Sequence, residues 1–475
     1  MSLPELNDIA GLTPDSRHVK PGWLFAALAG SRQDGSAFIA DAVRNGASVV
    51  LVRRGTKLPP EAAGIRVIES DNPARDLSLL AAQFYKIQPG HIVAVTGTNG
   101  KTSTVHFTQQ IWQKEKLKSV SLGTLGIRGS GIVRSGSMTT PDTVSLHAEL
   151  ADLASAGITH LAMEASSHGL KQHRLDGVRI NAAGFTNLTR DHLDYHPDME
   201  DYFAAKARLF MDILKPDGLA VINADVPEFD ALADICRNRK ISVQGYGAKG
   251  HDMRLLKRVP LPQGQEVHLD IFGKKHDLVL PMVGAFQVMN ALCALGLSMS
   301  ADPAKNTTDY LSTIQGAPGR LQLIPGHPKG AVYVDYAHTP DALDNILDAL
   351  RPHTAGRLIC LFGCGGDRDP GKRAMMGRIA SEKSDHVIVT DDNPRSENPE
   401  LIRDAIMSGT KLNAKNVGDR RKAIAGAIED MKTGDVLVLA GKGHEQGQIF
   451  ADHVEPFDDA AEAAKAIQSL KGVAA

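Results

Sequence analysis

Short apolar, β-branched runs alternate with helix-length amphipathic stretches along most of this chain. That rhythm predicts βαβ units and largely parallel sheets. Three blocks emerge. In residues 1–88 the pattern predicts strands at 23–28, 49–52 and 65–68 among helical stretches, and Pro89-Gly90 punctuates the join. Residues 89–322 open with an apolar run at 92–95, followed by a helical segment over 102–117. They continue with apolar runs at 158–163, 181–185 and 219–222. Around Ala317-Pro318-Gly319-Arg320 the pattern breaks again. Residues 323–475 repeat the alternation, with runs at 331–334, 357–362, 386–390 and 436–440 separated by helical stretches such as 340–350 and 371–382. The last block reads as a doubly wound, Rossmann-like unit. The fold class expected is therefore α/β in three domains, the central one built on a mostly parallel sheet. No short-period repeat or low-complexity tract interrupts the pattern.

Composition narrows the field. The chain has 475 residues, 42% of them hydrophobic and 23% charged, enough to build real cores. A net charge of −2 implies no general attraction to nucleic acid or anionic membrane. No apolar run approaches the length of a bilayer span. The opening Met1-Ser2-Leu3-Pro4-Glu5 is acidic and lacks an apolar core, so it is not expected to act as a secretion signal. Cys236, Cys293, Cys360 and Cys364 are scattered, and no second pair completes a zinc set with the last two. Reduced thiols in a cytoplasmic protein are expected.

The stretch 92–103 reads Ile-Val-Ala-Val-Thr-Gly-Thr-Asn-Gly-Lys-Thr-Ser. A strand, a glycine turn, a Lys-Thr pair and a helix form the grammar of a phosphate-binding loop. The strict spacing would put glycine at position 95, where Val95 stands. Glycines allow backbone N–H groups to face phosphate oxygens, Lys101 can reach the outer phosphates and Thr102 can hold Mg²⁺. A strand–turn–helix corner with a surface lysine is the plainer alternative, and the strand before and helix after count against it.

Other strand exits carry chemistry. The run 158–163 leads into Glu164-Ala165-Ser166-Ser167-His168-Gly169. Glu164 is either a Mg²⁺ ligand at a sheet's carboxyl edge or a solvated strand-end acid. The next exit, residues 186–196, gathers Asp191, His192, Asp194 and His196, a metal or acid–base site or an ordinary polar loop. Lys206 sits in an amphipathic helical segment, by default a surface cation. In the third block, Gly363 to Asp369, Asp391-Asp392-Asn393-Pro394-Arg395 and Gly441-Lys442-Gly443-His444-Glu445 follow three strands. Turn chemistry explains the Gly and Asn-Pro pieces. The arginines and Glu445 are not turn residues and suggest a pocket with cations for carboxylates and an anion for an amine.

Taken together, Thr96-Gly97-Thr98-Asn99-Gly100-Lys101-Thr102, Glu164-Ala165-Ser166-Ser167-His168-Gly169-Leu170, Asp335-Tyr336-Ala337-His338-Thr339-Pro340 and Gly441-Lys442-Gly443-His444-Glu445 resemble the Mur ligases of peptidoglycan synthesis. The resemblance covers essentially the whole chain. Within that family the 392–395 stretch resembles the diaminopimelate-adding members. The resemblance implies a UDP-substrate domain over 1–88, an ATP-binding ligase domain over 89–322 and an amino-acid domain over 323–475. It implies an ATP-dependent ligase that adds meso-2,6-diaminopimelate to UDP-N-acetylmuramoyl-L-alanyl-D-glutamate through an acyl phosphate. That would place it in cytoplasmic precursor synthesis for cell-wall biogenesis, cell shape and cell division. A sister ligase adding L-lysine or another amino acid is the nearest rival, and a nucleotide switch or motor the rival from another class. Partners implied are these small molecules, with no nucleic acid and no membrane span, for a monomer whose third domain closes on the site.

Residue by residue, the resemblance implies that Gly97, Thr98, Asn99, Gly100, Lys101, Thr102 and Ser103 hold ATP, with Asn290, Arg320 and Asp335 as further nucleotide contacts. Lys101, Glu164, His192 and Lys206 would be catalytic. Thr102, Glu164, His192 and Lys206, the last carbamylated by CO₂, would hold two Mg²⁺ ions. Ser16, Thr139, Thr140, Ser166, Gln172 and Arg174 would contact the UDP substrate. Arg368, Asp392, Asn393, Pro394, Arg395, Gly441 and Glu445 would take diaminopimelate, with Arg395 pairing the carboxylate that lysine lacks. The chain departs from the family's common residues at Gln287, Gln322 and Ser103.

Overall fold

The computed structural model describes residues 6–473 apart from Asn7, Ser31, Arg32, Ser137, Pro303 and Asn306. The chain divides into two compact units, Met1–His251 with Cys293–Asn306 and Asp252–Leu292 with Thr307–Ala475.

The first unit holds two sheets. Four parallel strands, Gly11–Thr13, Trp23–Ala26, Ala47–Arg53 and Arg66–Ser70, lie side by side in chain order. The strand expected over 23–28 stops at Ala26, where Leu28 turns its N–H back to the Ala26 carbonyl and Ala29 bridges to Asp34. Gly11–Thr13 is too short to show any alternation and was not legible. The larger sheet runs, in spatial order, through Ser242–Gly247, Leu219–Asn223, Ala182–Phe185, His91–Thr96, His160–Glu164 and Ser119–Gly123, then two antiparallel strands, Gly126–Gly129 and Ile132–Arg134. Its central strands are parallel. Ile92, Val93, Ala94 and Val95 are all fully buried, which is why the run reads as continuously apolar: helices cover both faces. Leu146, Leu150, Leu161, Met163 and Phe185 share that core, each stabilising the fold by about 1.5–3 kcal/mol.

Register fixes the site. Val95 pairs with Glu164 and Thr96 with Phe185. The phosphate loop, Glu164 and the segment after Phe185 therefore leave the sheet at one edge, its carboxyl edge.

The second unit has a six-stranded sheet in the order Gln322–Ile324, Ala331–Asp335, Val436–Ala440, Leu358–Phe362, His386–Val389, Ala414–Asn416. Only the first of these is antiparallel. The runs expected at 331–334, 357–362, 386–390 and 436–440 all become strands, and the expected helix 340–350 is observed as Pro340–Leu350. This unit also contains a meander, Met253–Leu261, Gly264–Ile271 and Lys274–Leu280, that the parallel reading passed over. Val267, Leu269 and Ile271 are buried in strict alternation, the period-2 signal that could have revealed it. The α/β class, with a mostly parallel sheet in the central block and a doubly wound last block, is what the chain adopts. Among the described residues no helix is long and apolar enough to cross a membrane.

Candidate active site

The loop after His91–Thr96 is held open by its glycines. Gly97 has φ 147° and Gly100, at the helix cap, φ 88°. A Cβ at Gly97 would collide with Thr186 Oγ1 and the Asn187 backbone. The segment after Ala182–Phe185 clamps the loop: Thr186 Oγ1 donates to Asn99 O at 2.6 Å, Asn99 N to Asn187 Oδ1 at 2.9 Å, and Thr98 N to Asn187 O at 2.9 Å. Thr98 Oγ1 also accepts from Thr189 N at 2.9 Å. The helix Lys101–Lys114 begins immediately, so its first N–H groups lie beside the loop with Thr102 and Ser103 buried in its first turn. Lys101 Nζ donates to the carbonyls of Gly97 and Thr98, both at 2.8 Å.

Lys206 is the surprise of this edge. Far from being a surface cation, it is 1% exposed on helix Met199–Arg208. Its Nζ donates to Gly97 O at 2.8 Å and lies 4.3 Å from the centre of the Tyr202 ring, whose hydroxyl meets Thr98 Oγ1 at 3.2 Å. Among the described residues no carboxylate is within ion-pair distance of it. Burial, then the nearby Lys101 charge, pulls its amine well below the ordinary lysine pKa. The helix breaks into a π-type turn, Leu209–Ile213, directly after it. Such turns accompany functional positions.

Glu164 is 1% exposed. It accepts from Thr124 N at 2.8 Å and Thr124 Oγ1 at 3.3 Å, and no cation is paired with it among the described residues. His192, at φ 54°, packs edge-on to His168 with ring centres 5.1 Å apart. Burial lowers its pKa, Asp191 opposes this, and Lys101 and Lys206 add to it, so it stays a neutral ligand candidate. Among the described residues no group of three or more His, Cys, Asp or Glu could hold a metal. An uncompensated buried carboxylate nevertheless fits Mg²⁺, which takes few protein ligands beside waters and phosphate oxygens. Lys206 fits that ion only as the carbamate; as an ammonium it would repel it.

The expected UDP-substrate residues form one network around Glu164. Thr140 Oγ1 donates to Glu164 O at 2.9 Å and accepts from Ser166 N at 3.0 Å, while Thr139 and Thr124 hydroxyls meet at 3.0 Å. Arg174 donates to Thr140 O and to Gln172 Oε1, both at 2.6 Å. Ser16 stands apart in the turn Ser16–His18, its carbonyl accepting from Asn45 Nδ2 at 2.9 Å.

In the second unit the three strand exits meet. Arg395 Nη1 donates to Gly366 O at 2.8 Å, and a Cβ on Gly365 would collide with Arg395 Nη1 and lie in ordinary contact with Arg368 Cγ, so both arginines flank that glycine. Asn393 Nδ2 donates to Glu445 Oε2 at 2.8 Å. Gly441, φ 110°, follows Ala440 with Asp392 Oδ2 facing its open side. Pro394 is buried. Asp335, wholly buried, accepts from Leu321 N at 2.7 Å and Ala337 N at 2.8 Å; burial raises its pKa against the Arg320 charge. Arg320 lies over the Tyr336 ring at 4.8 Å.

Comparison with known proteins now bears on this geometry. Family models for the Mur ligase catalytic, middle and glutamate ligase domains match residues 8–85, 95–298 and 319–443. The chain belongs to the Mur ligase family. A UDP-N-acetylmuramoyl-L-alanyl-D-glutamate–2,6-diaminopimelate ligase of Caulobacter vibrioides is 50% identical over 475 residues, covering 98% of this chain and 96% of the relative. One of Rhizobium meliloti is 50% identical over 470 residues, covering 98% and 95%. Among solved structures, one of a ligase with that same name is 33% identical with a TM-score of 0.71, covering 98% of this chain and 95% of the other. A MurF ligase of Thermotoga maritima in complex with ADP shares the fold at 18% identity and a TM-score of 0.60, covering 99% and 100%.

Two departures of this Mur ligase from common family residues have local work. Gln287 accepts from Asn290 Nδ2 at 3.0 Å and donates to Arg320 O at 3.4 Å, tying two expected nucleotide residues together. Gln322 Oε1 accepts from Gly319 N at 2.9 Å, an acceptor role that a carboxylate would share. Sequence reasoning did not assign Thr124, Thr186, Asn187, Tyr202 or Lys442. Thr124 carries no local signal. Lys442, set between two glycines, carried a faint one.

Proposed function

We propose that this Mur ligase adds meso-2,6-diaminopimelate to UDP-N-acetylmuramoyl-L-alanyl-D-glutamate, with ATP cleaved to ADP and phosphate. The terminal phosphoryl group passes to the free D-glutamyl carboxylate, giving an acyl phosphate. An amine of diaminopimelate attacks the acyl carbon, and the tetrahedral intermediate expels phosphate to leave the amide. A carboxylate is a poor acyl donor, so the mixed anhydride is what makes amide formation feasible. The protein's part is charge neutralisation and positioning.

The observation that carries this reading is that the second unit brings two arginines, Arg395 by its guanidinium and Arg368 by its stem, to Gly365, and holds a carboxylate, Glu445, on Asn393. Such a seat suits an amino acid whose far end bears both a carboxylate and an ammonium. The names and identities of the curated relatives support it. In the first unit the loop 97–103 with Lys101 cradles the phosphates. Asn290, Arg320 and Asp335 are proposed as nucleotide contacts of the second unit, and Ser16, Thr139, Thr140, Ser166, Gln172 and Arg174 as contacts of the UDP substrate. Thr102, Glu164, His192 and carbamylated Lys206 would hold Mg²⁺, which supplies charge neutralisation of the phosphates when bound. Three domains, 1–88, 89–322 and 323–475, are proposed, supported by three family-model spans that break near the same points. Cytoplasmic action as a monomer is part of the proposal.

Phosphate release measured with a panel of amino acids, in the presence of ATP and the UDP-dipeptide, tests the reaction. Diaminopimelate should stimulate strongly and lysine weakly; equal rates would overturn the amino-acid assignment. Arg395→Ala should lose ~10³–10⁴-fold in kcat/KM for diaminopimelate, the range for a site left with an unmatched polar contact. The KM for ATP should hold.

A further inference from the structure

Lys442 is completely buried, yet the family resemblance assigned it nothing. Its ammonium sits on three oxygens: Asn393 Oδ1 at 2.9 Å, Glu445 Oε2 at 3.4 Å and Asp392 Oδ1 at 3.5 Å. It donates to the Asn393 and Glu445 oxygens, and Asp392 Oδ1 stands by as an ionic neighbour. Asn393 is thereby held at both ends of its amide. Its Oδ1 takes Lys442 and, at 3.0 Å, the backbone N–H of Ile449, while its Nδ2 donates to Glu445. Asn393 is thus a strut that still keeps the second N–H of its Nδ2. Asp392 is nearly sealed and its backbone carbonyl is held by Gln448 Nε2 at 2.7 Å. Glu445 differs: 35% of its side chain stays exposed, so the lysine anchors one oxygen from beneath while part of the carboxylate remains reachable.

We propose that Lys442 is a positioning residue that sets the charge of the amino-acid seat and so its preference for a far end bearing both signs. This rests on the reading of the amino-acid end given above. The charge arithmetic is simple. Asp392 and Glu445 contribute −2 and Lys442 returns +1, leaving −1 to face one ammonium, with Arg395 and Arg368 left for a carboxylate. Remove the buried cation and the same seat carries −2. It then repels an incoming carboxylate and favours a far end that is only an ammonium, as in lysine. The strut also loosens, because Asn393 Oδ1 keeps only the Ile449 bond and its amide can turn.

The test is steady-state phosphate release with Lys442→Met and Lys442→Gln, each checked for native far-UV circular dichroism. The KM for diaminopimelate should rise ~10-fold or more, on the scale of a mispaired buried charge. The KM values for ATP and UDP-dipeptide should stay within about twofold, since neither is read by this cluster. The ratio of kcat/KM for diaminopimelate over lysine should fall ~10-fold, whereas Lys442→Arg, which keeps the charge, should hold that ratio within about threefold. A general loss of folding would scale both substrates together and leave the ratio alone. Should Lys442→Met not fold, Lys442→Gln, which retains a donor, decides. A folded Lys442→Gln with unchanged KM and unchanged ratio overturns the proposal. If the unaltered enzyme releases no phosphate with diaminopimelate, the amino-acid reading fails and this inference with it. If it does and only the ratio stays fixed, Lys442 alone has been misread.

Discussion

Two lysines in this molecule are equally hidden from water and entirely differently kept. Lys442 in the second unit rests on two carboxylates and an amide oxygen. Lys206 in the first has one backbone carbonyl, the face of Tyr202 and another lysine nearby. A buried ammonium surrounded by anions is a fixture, stable as long as its partners remain. Lys206, with Asp191 acting only from beyond ion-pair distance, is driven by burial toward the neutral amine, the form that reacts with CO₂. The contrast extends outward. The second unit also pairs its sealed guanidinium, Arg420, with sealed Asp459. The first unit holds half-buried His91 and His106 and buried His147 with pKa values pushed down to about 4 by desolvation, so that they stay neutral.

The sharpest way to probe that difference is Lys206→Met. It should leave the fold intact, since no ion pair is lost, while lowering kcat by ~10³-fold if the amine carries a group that supports the phosphates. Turnover within a few-fold of the unaltered enzyme would erase the distinction between the two lysines. The converse substitution, Asp459→Asn, turns Arg420 into an unpaired buried cation like Lys206. It should cost about 3–5 kcal/mol in urea unfolding, and a cost under about 1 kcal/mol would mean the pairing is ornamental.

The smallest effect concerns acid. His147 Nε2 meets Ser78 Oγ at 3.3 Å in a sealed site. Its pKa is about 4 in the fold, lowered by burial, against an ordinary value of 6.5. Between those values the unfolded chain binds the extra proton, so stability is present above pH 6.5 and drains away as pH falls toward 4. His147→Gln should remove roughly 2–3 kcal/mol of that acid sensitivity, read as a flatter denaturation midpoint between pH 7 and 4. An unchanged slope would show that the ring is protonated in the fold.

Much of the fold was legible because parallel strands covered on both faces must be continuously apolar, as Ile92 to Val95 and Val436 to Ala440 are. Boundaries drifted where a bond rather than a pattern ended the element. The helix expected over 102–117 starts at Lys101 and ends at Lys114, where Lys116 takes a positive φ. The run at 158–163 begins two residues late, because Ile158 N is still tied back to Leu153 O and Thr159 N donates to Lys118 O outside the strand ladder. At the site, glycine spacing marked the phosphate loop, but nothing local marked Thr124, which holds Glu164 and meets Thr139 from a neighbouring strand exit.

What the chain's order of residues determined by itself is therefore the alternation of strand and helix, the phosphate loop and the charged exits, since each depends on neighbours a few positions away. Whether a given lysine is a surface cation, a sealed strut or a bare amine was decided only by tertiary structure. Solvation and partner distance set the state of a charge, and both come from residues such as Gly97 and Lys206, more than a hundred positions apart.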